Sequence, residues 1–246
     1  MLPERDQLEY RALQIIANSV SPVGSGYLSR EMGKGGAASV SEATAGRILN
    51  RFDQKGLTAK QGFQGRLLTD EGIAKLKDLE SREMKIRQGE DFFNLLESHS
   101  KERLIDILIA RKAIERELAR LAAIHATAEE IKAMWEVQKF QSETFSQNLG
   151  AAEQDVQFHR LIAIASRNPV LRSAIEMIRQ DGQLTPILEY IRKKVQSVIA
   201  HDHAQIILAI ERREPELAEG RMVKHIESII LDVNKYWDKA WENEEK

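Results

Sequence analysis

From residue 70 to residue 246 the chain carries apolar residues at helical spacing and no convincing strand signal. That restricts most of its length to packing helix on helix. Leu104, Ile107, Leu108, Ile114, Leu118 and Leu121 mark one apolar stripe. Thr127 with Glu130 forms a capping box ahead of Ile131, Met134, Val137 and Phe140. Gly150 opens the next helix, which should stop near Asn168-Pro169. Further helices are predicted over 170–181, 184–200, 201–212 and 215–240, the last begun by Pro215. Short connections between them imply an antiparallel bundle.

The first 69 residues follow a different pattern. Leu8, Ala12, Ile15 and Ile16 repeat at helical spacing, and SPVGSG breaks the run before a short second helix around Tyr27 to Met32. The turn GKGGAA then leads into SVSEATAGRILNRFDQKG. There Ser39 or Ser41 can cap a third helix, Glu42 can complete a capping box with Ser39, and Gly56 supplies the stop. LTAKQGFQGRLLT reads as a β-hairpin that turns between Gly62 and Gly65. Helix, short helix, capped helix and hairpin is the order of a winged helix-turn-helix. The expected fold is therefore mainly α: a winged helix with a small hairpin wing over 1–80, a helical linker over 81–100, and an all-helical antiparallel bundle over 101–246. Thr69 caps the linking helix, and acids occupy its first turn.

Composition removes several classes of function. The chain of 246 residues has no cysteine, so disulfides, thiolate zinc sites and cysteine nucleophiles are excluded. Apolar runs such as LIAIA are far shorter than a membrane span, and the N-terminus has no apolar stretch like that of a signal peptide. The expectation is a cytoplasmic protein without a membrane partner. Residues 1–69 carry 9 Lys and Arg against 6 Asp and Glu, whereas the whole chain has a net charge of −2. The basic excess thus sits on the winged helix. There Ser41, Thr44, Arg47, Asn50 and Arg51 of the third helix can meet the major groove, and Lys60, Gln61 and Arg66 of the hairpin can meet phosphates. For any single Arg-bearing amphipathic helix a solvated surface is the commoner explanation; the ordered combination is what points to DNA.

VSEATAGRIL and FDQKGL make this segment resemble the GntR family of bacterial transcription regulators, which implies a winged helix that binds an operator. The chain departs from that family in its base-reading positions. Where many members place two DNA-contacting arginines this chain has Glu42 and Gly46, and the basic residue stands at Arg47.

The bundle holds a second constellation. Asp155 and His159 lie i, i+4 apart on one predicted helix, and His203 and His225 fall on the last two. One face of a helix brings the first pair within about 5–6 Å. The two later histidines stand roughly equally far from the REP turn at Arg213 to Pro215, so antiparallel packing sets them at one height. Three imidazoles and a carboxylate suffice for a divalent ion, with zinc first and manganese or nickel as alternatives. From spacing alone, satisfied core or surface histidines are the commoner explanation. His99 and His125 read as linker and helix-end residues, and His201, two positions from His203, falls on another face.

Residues 102–236 resemble the FadR C-terminal domain, the helical ligand-binding module that accompanies GntR winged helices. The resemblance rests on ARKAIERELARLAA at 110–123, DVQFHRLIAIASRNPVL at 155–171, DHAQIILAIERREPELA at 202–218 and MVKHI at 222–226. It implies metal ligation by Asp155, His159, His203 and His225. It also implies an effector contact by Arg111 of the R-x-x-x-E motif, whose guanidinium suits a carboxylate. Arg111 and Glu115 could equally form an i, i+4 ion pair, and both roles can hold together. The function so implied is a ligand-responsive DNA-binding regulator, read as a repressor and not an enzyme. It would act as a homodimer on double-stranded operator DNA and respond to a small carboxylate. The alternatives are a metal-dependent hydrolase using the same Asp and three His, or a DNA-binding protein with a purely structural metal.

Overall fold

The computed structural model describes residues 1–34, 40–96, 100–146, 152–179, 184–195, 197 and 200–244; of 144–146, 200–201 and 239–244 it describes the backbone alone. The expectations for Ser39, His99, Gly150 and the His201 side chain lie outside the described residues. Two compact units divide the chain, Met1–Phe93 and Asn94–Lys246.

The first unit contains α1 (Glu4–Ala17), α2 (Ser25–Met32), α3 (Glu42–Gln54), β1 (Thr58–Lys60), β2 (Arg66–Leu68) and the greater part of α4 (Asp70–Leu96). Ser41 caps α3 by accepting from the Thr44 amide, and α3 buries Ala45, Ile48, Leu49 and Phe52 on one face. Gly56, at φ +72°, ends that helix in the left-handed conformation that glycine adopts without penalty. β1 and β2 pair antiparallel with Thr58 opposite Leu68 and Lys60 opposite Arg66, and an isolated bridge ties Arg66 to Val23. Gly65 makes that bridge possible. Its φ is +136°, and a Cβ there would stand 2.6 Å from the Val23 carbonyl carbon. Thr69 caps α4 through the Gly72 amide. Leu76 and Leu79 of α4 join Leu13, Ile16, Leu28 and Phe52 in one core. Residues of α4 expected in the linker are bonded to the start of the chain: Arg82 pairs with Asp6 at 2.9 Å, and Glu83 accepts from the Leu2 amide.

The second unit consists of α5 (Lys101–His125), α6 (Ala128–Ser146), α7 (Ala152–Ala165), α8 (Pro169–Arg179), α9 (Leu184–Lys194), α10 (Ala200–Glu211) and α11 (Pro215–Glu244). The Thr127–Glu130 capping box forms as the sequence predicts, with both reciprocal bonds present. Asn168 caps α8 through the Leu171 amide, and Arg167, at φ +58°, turns the chain between α7 and α8. Ion pairs Lys101–Asp238, Lys112–Glu227 and Arg116–Glu219 step down α11 as they step up α5, so these two helices run antiparallel. Leu108, Leu118, Phe158, Ile206, Met222 and Ile226 are among the side chains that fill the interior, each 1% exposed or less. The helical bundle and the small hairpin are those expected, except that α9 stops at Lys194 where the sequence suggests a helix to 200.

Candidate metal centre and nucleic-acid interface

The polar face of α3 is set by its buried one. With Ala45, Ile48, Leu49 and Phe52 turned inward, Ser41, Arg47, Asn50 and Arg51 are exposed and Thr44 is partly so. Arg47 reaches back to the Thr44 hydroxyl at 3.1 Å, which steadies its guanidinium on this face. Lys60 and Gln61 are exposed at the end of β1 and in the turn. Arg66 is placed differently from the other basic residues. Its Nε donates to both Asp53 carboxylate oxygens, at 3.0 and 2.9 Å, and Thr58 donates to the same carboxylate at 2.7 Å. Arg66 therefore joins the second strand of the wing to the end of α3. Glu42 has a similar internal role: it accepts from the Ser25 hydroxyl at 3.1 Å, in the first turn of α2.

In the second unit, α7, α10 and α11 bring Asp155, His159, His203 and His225 together. One ligand atom from each lies within 4.8 Å of all the others. His203 Nε2 stands 3.3 Å from His225 Nε2 and 3.5 Å from Asp155 Oδ1, and His159 Nε2 stands 3.7 Å from that same oxygen. Donors bound tetrahedrally at about 2.1 Å would lie about 3.4 Å apart, so the spacing accommodates a divalent ion after small side-chain adjustments. The three imidazoles are 0–4% exposed, and neither ring nitrogen of His159 has a hydrogen bond of ordinary geometry. A buried lone pair left without a donor fits a missing cation better than it fits a dry core.

The far nitrogen of each ring faces an oxygen atom on a neighbouring side chain. Gln141 Oε1 on α6 accepts from His203 Nδ1 at 2.7 Å. Asp202 Oδ2 lies 3.6 Å from His225 Nδ1, and Glu115 Oε2 lies against His159 Nδ1. At His203 this acceptor puts the proton on Nδ1 and leaves Nε2 free to ligate, the usual support of a metal-bound histidine, whereas at His225 and His159 the carboxylates face Nδ1 without a hydrogen bond of ordinary geometry. Phe158 stacks on the His203 ring at 4.0 Å between centroids and fixes its plane.

Electrostatics keep the cluster ready to ligate. Burial lowers the pKa of all three histidines, His159 to about 4 and His203 well below its ordinary value, so they are neutral near pH 7. Burial alone would raise the Asp155 pKa. The His159 imidazole and the Arg179 guanidinium outweigh it and hold the carboxyl well below its usual range. Glu115 is likewise desolvated, yet stays ionised beside Arg111, His159 and Arg179.

Arg111, fully buried, donates from Nε to Glu115 at 2.7 Å, so the i, i+4 ion pair is present; its Nη2 has no partner. Sequence reasoning missed Arg179, whose Nη2 donates to Asp155 Oδ2 at 2.8 Å and whose Nη1 reaches Glu115 at 3.4 Å. It also missed Gln141, Asp202 and the support role of Glu115. Only Glu115 carried a signal, through the R-x-x-x-E spacing. His125 ends α5, as expected.

The FCD domain family matches residues 106–228, half of the chain, and that span contains all four clustered residues. The chain belongs to the FCD domain family. The FadR-type helical module inferred from the later motifs is thus the domain present. A Ribonuclease R winged-helix domain family matches residues 11–76. Among curated relatives, the Exu regulon transcriptional regulator of Escherichia coli K12 is 28% identical over 130 residues, covering 51% of this chain and 50% of that protein. The HTH-type transcriptional repressor NanR of Escherichia coli K12 is 28% identical over 122 residues, covering 48% and 46%. The chain therefore spans about half the length of the curated relatives it matches. Solved structures with similarity include E. coli McbR/YncC, with 13% identity, TM-score 0.49 and coverage of 94% of this chain and 95% of that one. Streptococcus agalactiae GntR has 17% identity, TM-score 0.47 and coverage of 92% and 98%.

Proposed function

We propose that this FCD protein is a transcription regulator of the GntR type, acting as a repressor, which binds operator DNA through its winged helix and senses a small organic acid at a divalent metal. One observation carries the reading. Three buried imidazole Nε2 atoms and Asp155 Oδ1 converge inside a helical domain that follows a winged helix in the same chain. Asp155, His159, His203 and His225 would hold the ion, zinc first, with manganese or nickel accepting the same donors. An ion that exceeds four-coordination, as zinc does on expansion and manganese or nickel do ordinarily, would supply open positions there for a ligand carboxylate. Arg111, with one buried N–H unpartnered, is the effector contact proposed from α5.

On the DNA side, Arg47, Asn50 and Arg51 would enter the major groove, with Ser41 and Thr44 at the start of the same helix and Lys60 and Gln61 on the wing bracing phosphates. Arg66 would contribute mainly by holding the wing. A homodimer would place two such heads on a pseudo-palindromic site, in the cytoplasm. Among the described residues no helix is long and apolar enough to cross a membrane. A hydrolase would need a free general base beside the cluster. The nearest other buried carboxylate, Glu115, is held by Arg111 and Arg179 and lies against His159.

Metal analysis of the purified protein tests the reading. About one ion per chain is expected, with loss in His159→Ala and in His225→Ala; equal content in all three proteins would sink it. Operator binding should weaken in Arg47→Ala and fall steeply with salt.

A further inference from the structure

Between α7 and α8 lies a half-open pocket of about 340 Å³ that reaches His159 of the histidine cluster. Its lining includes the exposed Arg160 and Arg172, together with Val156 and Glu176, and the buried side chains of His159 and Arg179. Arg172 is paired with Glu176 at 3.0 Å. Arg111 does not line this cavity. An anion that passes the two exposed arginines therefore meets Arg179 before any other buried guanidinium on that path.

Arg179 is already divided between two carboxylates. Nη2 holds Asp155 Oδ2 at 2.8 Å and Nη1 reaches Glu115 Oε1 at 3.4 Å, while Nε is buried without a partner. A guanidinium presents its five N–H groups in a fixed planar fork, so an unpaired Nε–H beside an occupied Nη2 leaves half of a two-armed carboxylate site open. Asp155 is meanwhile shared: Oδ1 faces the imidazoles and Oδ2 faces Arg179. A carboxylate whose charge is drawn toward a guanidinium is a weaker donor to a cation.

We propose that Arg179 is the positioning residue that couples the two ligands: a small carboxylate entering between α7 and α8 engages Arg179 and relaxes its hold on Asp155, so that carboxylate and metal each tighten the binding of the other. This rests on the metal and organic-acid reading above and adds to it the route of entry, the anchoring residue and the sign of the coupling. Reciprocity is required by linkage. Whatever factor the carboxylate adds to metal affinity, the metal adds to carboxylate affinity.

The test uses the full chain, stripped of metal and kept in a buffer free of carboxylates. Zinc affinity is measured by competition with a chromophoric chelator, alone and with acetate or succinate. In the natural protein the carboxylate should tighten zinc by about fivefold to a hundredfold, the ordinary range of such couplings. Arg179→Gln should bind zinc alone no more weakly than the natural protein and show no response to carboxylate. Arg179→Lys keeps a cation between Asp155 and Glu115 but lacks the fork, so it should fold and keep a reduced response. A full response in Arg179→Gln overturns the proposal. So does loss of zinc without carboxylate in both variants, because Arg179 would then merely hold the bundle together. Zinc binding by the natural protein with no response to either acid also overturns it, whereas failure to bind zinc at all overturns the reading on which it rests.

Discussion

Burial acts in opposite ways on the imidazoles and carboxylates of the second unit. The histidines lose their protons to it, whereas Asp155 and Glu115 keep their charges because arginines stand beside them. The consequence for stability follows from the direction of each shift. A histidine whose folded pKa is depressed takes up fewer protons folded than unfolded, so stability rises with pH across the interval between the two values. For His159 that interval runs from about 4 to 6.5. The metal-free protein should therefore lose thermal stability as pH falls from 7 toward 5, before its carboxylates titrate. A melting temperature independent of pH over that range would show the imidazoles to be hydrated. The carboxylates act lower, where protonation of Asp155 or Glu115 would remove the partners of Arg179 and Arg111.

Among the elements, the wing is the most exacting. Gly65 combines a φ of +136° with a backbone approach that leaves no room for a Cβ, and Arg66 beside it carries the bridge to Val23. Gly65→Ala should cost about 1–3 kcal/mol and separate the wing from the segment before α2. Thermal unfolding together with operator affinity would check this; an unchanged melting point with full DNA binding would show the turn to be adaptable. The helices themselves were open to reading from sequence because their ends are local. Ser41, Thr69, Thr127 and Pro215 announce them through caps and first turns, with no reference to distant residues. The convergence of His203 and His225 was legible for a related reason, since equal distances from one turn set their height. What could not be read was rotation about each axis, which fixes partners across helices. Asp202 sits next to His203 in sequence yet lies beside His225, and Gln141 reaches His203 from α6. Arg179 and Glu42 escaped for the same reason: their side chains answer groups on other helices.

Considered as a whole, the chain is two units with separate cores, so each should respond to its own perturbation. Metal bound to the second unit at about a hundred times its dissociation constant would stabilise that unit by about 3 kcal/mol, enough to raise its melting by several degrees. Chelation should reverse that increase in the natural protein and leave His225→Ala unaffected, by calorimetry. If both melt alike with and without chelator, the four residues are a structural polar core.

The tie from Arg66 to Asp53 has a consequence for how DNA would be searched. It joins the second strand of the wing to the end of α3, with Thr58 of the first strand on the same carboxylate. One carboxylate thus ties the part that would probe the major groove to the part that would touch the flanking backbone. So tied, the two parts would not adjust their contacts independently. In the proposed complex the protein would have to find both contacts at a fixed separation, so the pitch and groove width of the duplex would enter its affinity.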